Sequence, residues 1–470
     1  MRHRLALLCA ALLAASCAVP GHAAPPRAPR APRAQAVLAL VDTGINPYHE
    51  AFRDTSPLAY RHPSTYLPGY PRDAVALPVT LDAPDYWTAV RRDCARVWSE
   101  VRPGRLYWFP GTRIVGAISF DLLRAAFDCE AEQPAGHVLD GMGHGTMTAA
   151  RAAGARYGAC PECRVVSVQM QTAFGLVNTK DAAESSERSV AWAAANAHWI
   201  DAQSDSWGVL PVPDATGEGG LFFEHPSLAR TVEDAARTHL SFWATGNGVA
   251  NFAGVVGTPT VGGHYTPSAI RVGAQDSGHP TLWSGQLPHV VADGCDSWAP
   301  VPMTTTGWDE RAGGGTSAAT PYAAGGALSM LLHARRAAGD TRTGVRDGAV
   351  VRGRRLSSGP LADGVLTNDE WRAVVFHTAS TRPAAQPEDG PPCPTVPPPY
   401  APVPVEWRQV PDGAPEYLFI GYGAVDRAAV ALGRRVLDGS TPVPDRSQAD
   451  TFFSADRAAR DVLHTVYRGP

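Results

Sequence analysis

Residues 36–41 form an unbroken apolar run, AVLALV, that ends in Asp42-Thr43-Gly44. A run of this length closed by a turn signal reads as a strand buried on both faces, the kind found in parallel sheets. The pattern recurs along the chain. Segments 163–170, 199–207, 241–244 and 270–274 read as strands, and 147–155, 181–197, 232–238 and 318–338 as helices. Short strands alternating with helices predict an α/β fold of three layers, a central mainly parallel sheet flanked by helices. Sites in such sheets lie beyond the carboxyl ends of the strands. Asp42, Ser206 and Asn247 each fall just past an apolar strand.

With 470 residues and 44% hydrophobic content, the chain can bury a large core. Its formal charge is −4 and its basic residues are spread along its length, which gives no reason to expect the basic face of a nucleic-acid binder. Lys180 is the only lysine, a bias that reads as base composition rather than chemistry. Arg2 and Arg4 precede an apolar stretch at 5–15 that is too short to span a bilayer and suits a signal peptide. Gly21-His22-Ala23 has the small residues of a cleavage site, so a cut after Ala23 and secretion are expected. The alternative is a lipid anchor through Cys17, because Ala14-Ala15-Ser16-Cys17 loosely resembles a lipoprotein box. No other stretch is long and apolar enough for a transmembrane anchor.

Removing Cys9 and Cys17 with the signal leaves Cys94, Cys129, Cys160, Cys163, Cys295 and Cys393. An even set in an exported chain reads as disulfides. Proximity suggests Cys94 with Cys129, Cys160 with Cys163, and Cys295 with Cys393, among roughly 15 pairings that six cysteines allow. Cys160-Pro-Glu-Cys163 also fits half a zinc site or a redox motif, but no second CxxC or His pair completes a zinc site. Residues 24–35 are rich in Pro, Ala and Arg and read as a disordered mature N-terminus. The Pro-rich stretch 386–404 reads as an extended loop, and the tail at 439–470 carries a helical pattern at 455–466.

Three motifs carry chemistry: Val41-Asp42-Thr43-Gly44, Gly143-His144-Gly145-Thr146 and Gly315-Thr316-Ser317-Ala318-Ala319-Thr320-Pro321. A serine hydroxyl is a weak nucleophile until a histidine takes its proton and a buried carboxylate holds that histidine's tautomer. Ser317 at the start of a predicted helix places its own N–H in the positive field of that helix. Pro321 is assigned to the first turn, where a missing N–H costs little. Singly, each residue has a structural explanation: Asp42 as a turn former, His144 as a helix-start residue, Ser317 as an N-cap, Asn247-Gly248 as a turn. Jointly, those explanations leave the order of the motifs unaccounted for.

In the chain order Asp, His, Ser, these blocks resemble the subtilisin-like serine peptidases, the S8 or subtilase family. The resemblance extends to Ser206-Trp207-Gly208, to Ala244-Thr245-Gly246-Asn247, to Asp140 before the histidine, and to Gly421-Tyr422-Gly423-Ala424-Val425-Asp426 after a helix at 366–380. It covers about residues 36–438, taken as one peptidase domain. It implies a secreted serine endopeptidase with Asp42, His144 and Ser317 as catalytic triad and Asn247 as oxyanion donor beside the Ser317 backbone N–H. It implies that Ser206, Trp207 and Gly208 pair with the substrate backbone and, with Ala244, Thr245 and Gly246, wall the pocket before the scissile bond. It implies a monomer acting on protein or peptide, with no cofactor needed for catalysis. Structural calcium is frequent in the family, but no ligand set is assignable, because Asp276, Asp293 and Asp296 read as surface groups.

The chain departs from the family pattern at Met147, Ala318 and Tyr322, none of which removes a catalytic group. The long gap between Asp42 and His144 marks residues 54–136 as an insertion, whose Trp87, Trp98, Tyr107, Trp108 and Phe109 are assigned to a small core of their own or to a substrate-contacting wall. Only about 18 residues separate the expected signal cut from Asp42, so a chain that folds without a large prodomain is expected. Two rival functions remain. Asp42-Thr43-Gly44 and Asp276-Ser277-Gly278 could be the paired acids of an aspartic protease, but that needs an antiparallel β fold and leaves the His and Ser motifs idle. A catalytically inactive binding or scaffold protein on the same fold has no chemical need for all four site residues.

Overall fold

β1 (Val37–Asp42) is the apolar run with which the strand pattern begins, and all six of its residues are buried. Its side chains alternate between two cores. Leu38 and Leu40 enter one, while Val37, Ala39 and Val41 enter the other. A strand covered on both faces cannot tolerate a polar residue without a partner, which is why its one acid stands at the end. The computed structural model describes residues 33–121, 129, 136–171, 176–177, 180–209, 226–247, 268–276, 279–280, 284, 288–294, 305, 314–381 and 420–454.

Along the chain follow β2 (Val75–Ala76), α1 (Tyr86–Asp93), β3 (Tyr107–Trp108), β4 (Ile114–Ser119), α2 (His144–Ala153), β5 (Arg164–Gln169), β6 (Leu176–Val177), α3 (Lys180–Ala195), β7 (Ala202–Asp205) and β8 (Gly208–Val209). Then come α4 (Pro226–Thr238), β9 (Leu240–Ala244), β10 (Ile270–Asp276), β11 (His279–Pro280), β12 (Val290–Asp293), α5 (Thr316–Ala338), β13 (Ala349–Arg352), β14 (Val365–Thr367), α6 (Asn368–His377) and α7 (Arg427–Leu437). Among the described residues ten strands form the main sheet, in the order β11-β10-β9-β7-β1-β5-β4-β3-β2, with β12 also paired to β10. All its pairs are parallel except β10 with β11 and β3 with β4. This is the expected three-layer α/β fold, and it removes the antiparallel architecture that a pair of aspartic-protease acids would need.

α5 contributes to the core of the first face together with α2 and the leucines of β1. The second face is covered by residues of α3 and α4, including Val190 and Val232. The described residues make one compact unit. The described residues of segment 54–136 are built into it rather than set apart. β2, β3 and β4 extend the sheet, and the aromatic residues join the two main cores instead of forming one of their own: Trp98, Tyr107 and Phe109 on one face, Trp108 on the other, with Trp87 packed against the first. Ala34 and Gln35, read as part of a disordered N-terminus, are buried, and Gln35 accepts from Arg164 Nε at 3.0 Å.

Other boundaries differ for local reasons. The strand read at 199–207 is only Ala202–Asp205, because Trp199 and Ile200 close the turn after α3 with N–H bonds to Asn196. The helix read at 366–380 begins at Asn368, where Thr367 and Glu370 form a capping box that ends β14. Asp276, read as a surface turn, instead closes β10 and is buried. Asp293 pairs with Arg151 at 2.9 Å. Cys94–Cys129 and Cys160–Cys163 are disulfides. Cys295, Cys393, Asp296 and the helix read at 455–466 lie outside the described residues.

Candidate active site

The carboxyl end of β1 delivers Asp42, and the start of α2 delivers His144 against it, with His144 Nδ1 2.7 Å from Asp42 Oδ1. Two backbones meet here. A side chain on Gly145 would stand 2.2 Å from the Gly44 carbonyl oxygen, and Gly44 itself has φ +117°. Only glycine permits that approach, so the Thr-Gly turn and the Gly-Thr helix start interlock. Asp42 also accepts from the Thr43 N–H at 2.7 Å and from Thr148 Oγ1 at 3.0 Å. Thr148 is four residues past His144 on α2, and helical spacing puts both on the same face. The sequence reading missed it, although that spacing was available.

Asp140 organises the histidine loop. Fully buried, it accepts from the N–H groups of Met142, Gly143 and Thr146 at 3.1, 2.7 and 2.8 Å. It also accepts from the hydroxyls of Thr43 and Thr146 at 2.8 and 2.6 Å. Gln169, paired in register with Asp42 on β5, clamps the same loops. Its amide donates to the carbonyls of Thr43 and Leu139 at 2.9 and 2.8 Å and accepts the Val138 N–H at 2.7 Å. Nothing in the residue pattern singled out Gln169 beyond its place at a strand end. His144 remains 19% exposed at its side chain. Burial pulls its pKa down, but the Asp42 charge and hydrogen bond, with the Asp140 charge, outweigh burial and hold it above the ordinary histidine value.

Ser317 is the second residue of α5, and its backbone N–H has no partner among the described residues. Its hydroxyl donates to the Ser206 carbonyl at 3.2 Å, and the Ser206 hydroxyl donates back to the Ser317 carbonyl at 3.0 Å. That carbonyl is available because of Pro321. The helix runs from Thr316, so Pro321 lies in the second turn, not the first as read, and has no N–H to give residue 317 four positions back. The Ser206 hydroxyl takes the vacant place.

Asn247 follows β9 and is exposed. Its Oδ1 accepts from the Thr316 N–H at 2.7 Å and the Thr316 hydroxyl at 2.9 Å, so Nδ2 takes no part in either bond. Gly315, at φ +88°, makes this possible, since a side chain there would stand 2.5 Å from Asn247 Oδ1. Thr316 was not singled out from the sequence, and its signal is adjacency to the serine. The structure thus brings Asp42 to His144, and Ser206, Thr316 and Asn247 to the Ser317 end of α5.

The remaining residues line up along β7, β8 and β9. Gly208 begins β8, which pairs in parallel with β6. Trp207 is 3% exposed, with its indole N–H donated to Asp205 Oδ1 at 3.1 Å, and its ring belongs to the core of the second face. Ala244 and Gly246 are partly buried and Thr245 is buried. Among the described residues, no group of three His, Cys, Asp or Glu could hold a metal ion. No helix among them is long and apolar enough to cross a membrane.

The model of the subtilase family matches residues 33–390. A search of curated proteins finds no match. Among solved structures, the chain is similar to the patellamide maturation protease PatA, at 17% identity over 87% of this chain and 98% of that one, with a TM-score of 0.42. It is also similar to the epidermin leader peptide processing serine protease EpiP from Staphylococcus aureus, at 13% identity over 88% and 77%, TM-score 0.43. A cold-adapted subtilisin-like serine proteinase matches at 19% identity over 63% and 76%, TM-score 0.34. The family match spans most of the chain and coincides with the parallel sheet and the ordered motifs: the chain belongs to the subtilase family of serine-type peptidases.

Proposed function

We propose that the protein is an exported serine endopeptidase in which Asp42, His144 and Ser317 act as a triad. The observation that carries this is the 2.7 Å contact from His144 Nδ1 to the buried Asp42 carboxylate. It fixes the tautomer with Nε2 free to take a proton. The Ser317 hydroxyl turns from the Ser206 carbonyl toward Nε2, a change that apo sites commonly leave to the substrate complex. Its Oγ attacks the scissile carbonyl carbon while Nε2 takes the proton. The tetrahedral oxyanion is met by Asn247 Nδ2 and the Ser317 N–H. As the C–N bond breaks, His144 returns the proton to the leaving amine. Water, deprotonated by the same histidine, then hydrolyses the acyl-enzyme.

Protein or peptide substrates lie along the Ser206–Trp207–Gly208 segment, with Ala244, Thr245 and Gly246 at the pocket. No metal or cofactor takes part in these steps. No step depends on structural calcium. The two disulfides support an oxidising compartment and hence export.

Digestion of an unfolded protein by the mature chain, followed by mass spectrometry of the fragments, tests this. Internal peptide bonds are cut by wild type and not by Ser317→Ala. Asn247→Ala lowers kcat by about 10²–10³ with little change in KM. Cleavage that survives in Ser317→Ala contradicts the assignment of the nucleophile, and a loss under about threefold in Asn247→Ala contradicts that of the oxyanion donor.

A further inference from the structure

A titratable group next to this site that the mechanism leaves unused is Asp205. It closes β7, is 0% exposed, and stands in register between Val41 of β1 and Trp243 of β9. Its two carboxyl oxygens lie 2.9 and 2.7 Å from Gln203 Nε2, and Oδ1 also accepts the Trp207 indole N–H at 3.1 Å. These partners are neutral, and the Gln203 amide, whose Oε1 is buried without a partner, presents that oxygen to the proton of an uncharged acid when it is turned about. The charged groups nearest by register are Asp42, one residue past Val41, and Arg271, opposite Trp243 on β10, and neither contacts the carboxyl. Glu233, buried on the covering helix α4, is taken up by Arg237 and Ser268. A carboxylate removed from water with no cation beside it is disfavoured against the neutral acid. Burial, opposed by the two hydrogen-bond partners and reinforced by the Asp42 charge, pushes the Asp205 pKa well above the usual carboxylate value.

Ser206, the next residue, is the one through which this strand end touches Ser317, by both its carbonyl and its hydroxyl. The side chains on either side of Ser206 are tied to each other by the Asp205–Trp207 bond. The Trp207 ring in turn packs edge-on against Trp243, centroids 4.8 Å apart. Ser206 therefore cannot shift without disturbing a buried polar contact and an aromatic one.

We propose that Asp205, as an uncharged carboxylic acid, is a positioning residue that locks the Asp205–Trp207 strand end and through Ser206 sets the place of the Ser317 nucleophile. This rests on the reading of Ser317 as nucleophile.

The test compares the rate of fluorophosphonate labelling at Ser317, together with kcat, KM and the acid limb of the rate–pH profile, in wild type, Asp205→Asn, Asp205→Ala and Trp207→Phe. Asp205→Asn keeps a neutral group with an acceptor for the indole, and it labels within about threefold of wild type with its acid limb in place. Asp205→Ala labels about tenfold or more slowly, with the loss in kcat rather than KM. Trp207→Phe keeps the ring, loses the N–H, and is slowed as well.

A folded Asp205→Ala that labels at the wild-type rate overturns the proposal. So does an Asn variant as slow as Ala, or one whose acid limb moves to lower pH, since either means that the anion was needed. If the Ala variant does not fold, Trp207→Phe decides: slowed labelling supports the proposal and wild-type labelling overturns it. A folded wild type that does not label overturns the nucleophile reading itself, and this proposal with it.

Discussion

Asp140 makes a pH prediction at the scale of single residues. In the proposed role of base, His144 must be neutral to take a proton, so turnover rises as pH climbs through its pKa. The Asp140 negative charge favours the imidazolium and raises that pKa. Asp140→Asn removes the charge, lowers the pKa and moves the rising limb of kcat/KM to lower pH. A limb that stays put or moves upward would contradict this electrostatic role. The meeting of Asp42 with His144, and of Asn247 with the turn before Ser317, was legible in the sequence because the motifs that hold them stand in a fixed order. Thr148, Gln169 and Thr316 were not, because threonine and glutamine serve so many structural ends that only the contact reveals the role. Pro321 was placed one turn too early, and the misplacement hid the link between its missing N–H and the Ser206 hydroxyl.

At the scale of elements, apolar runs closed by polar residues located β1, β5, β9 and β10 well, since burial on both faces leaves little choice of residue. The strand ends that failed are those where an apolar residue does another job. Trp199 and Ile200 pack a turn rather than a strand, and Asp201 follows them for a reason no pattern shows. Its carboxylate receives Arg335 from the far end of α5 at 2.6 and 2.9 Å, and the N–H groups of Val37 and Gly344 at 2.7 and 2.6 Å. Both side chains are fully buried. Removing one partner strands the other charge, so Arg335→Ala is expected to lower stability by about 3–5 kcal/mol in urea unfolding. A loss below about 1 kcal/mol would mean that the pair holds nothing together.

For the molecule as a whole, the parallel sheet was legible but the reach of segment 54–136 was not. Its strands are two to six residues long and its aromatic residues have no period, so only tertiary pairing shows that it widens the sheet. The Cys94–Cys129 bond ties that segment across a separation of 35 residues, whereas Cys160–Cys163 spans 3. Loop-closure entropy assigns the longer bridge about 3–4 kcal/mol, so Cys94→Ser with Cys129→Ser melts well below wild type. An unchanged melting temperature would show that the sheet pairing alone holds the segment.

The central claim, that this fold presents an activated serine, is tested most directly by labelling the purified mature protein with a fluorophosphonate probe. The adduct is then mapped by peptide mass, in wild type beside Ser317→Ala. A single adduct on Ser317 that vanishes in the variant is the predicted result. A folded wild type that stays unlabelled, or an adduct that persists after the substitution, would contradict the account.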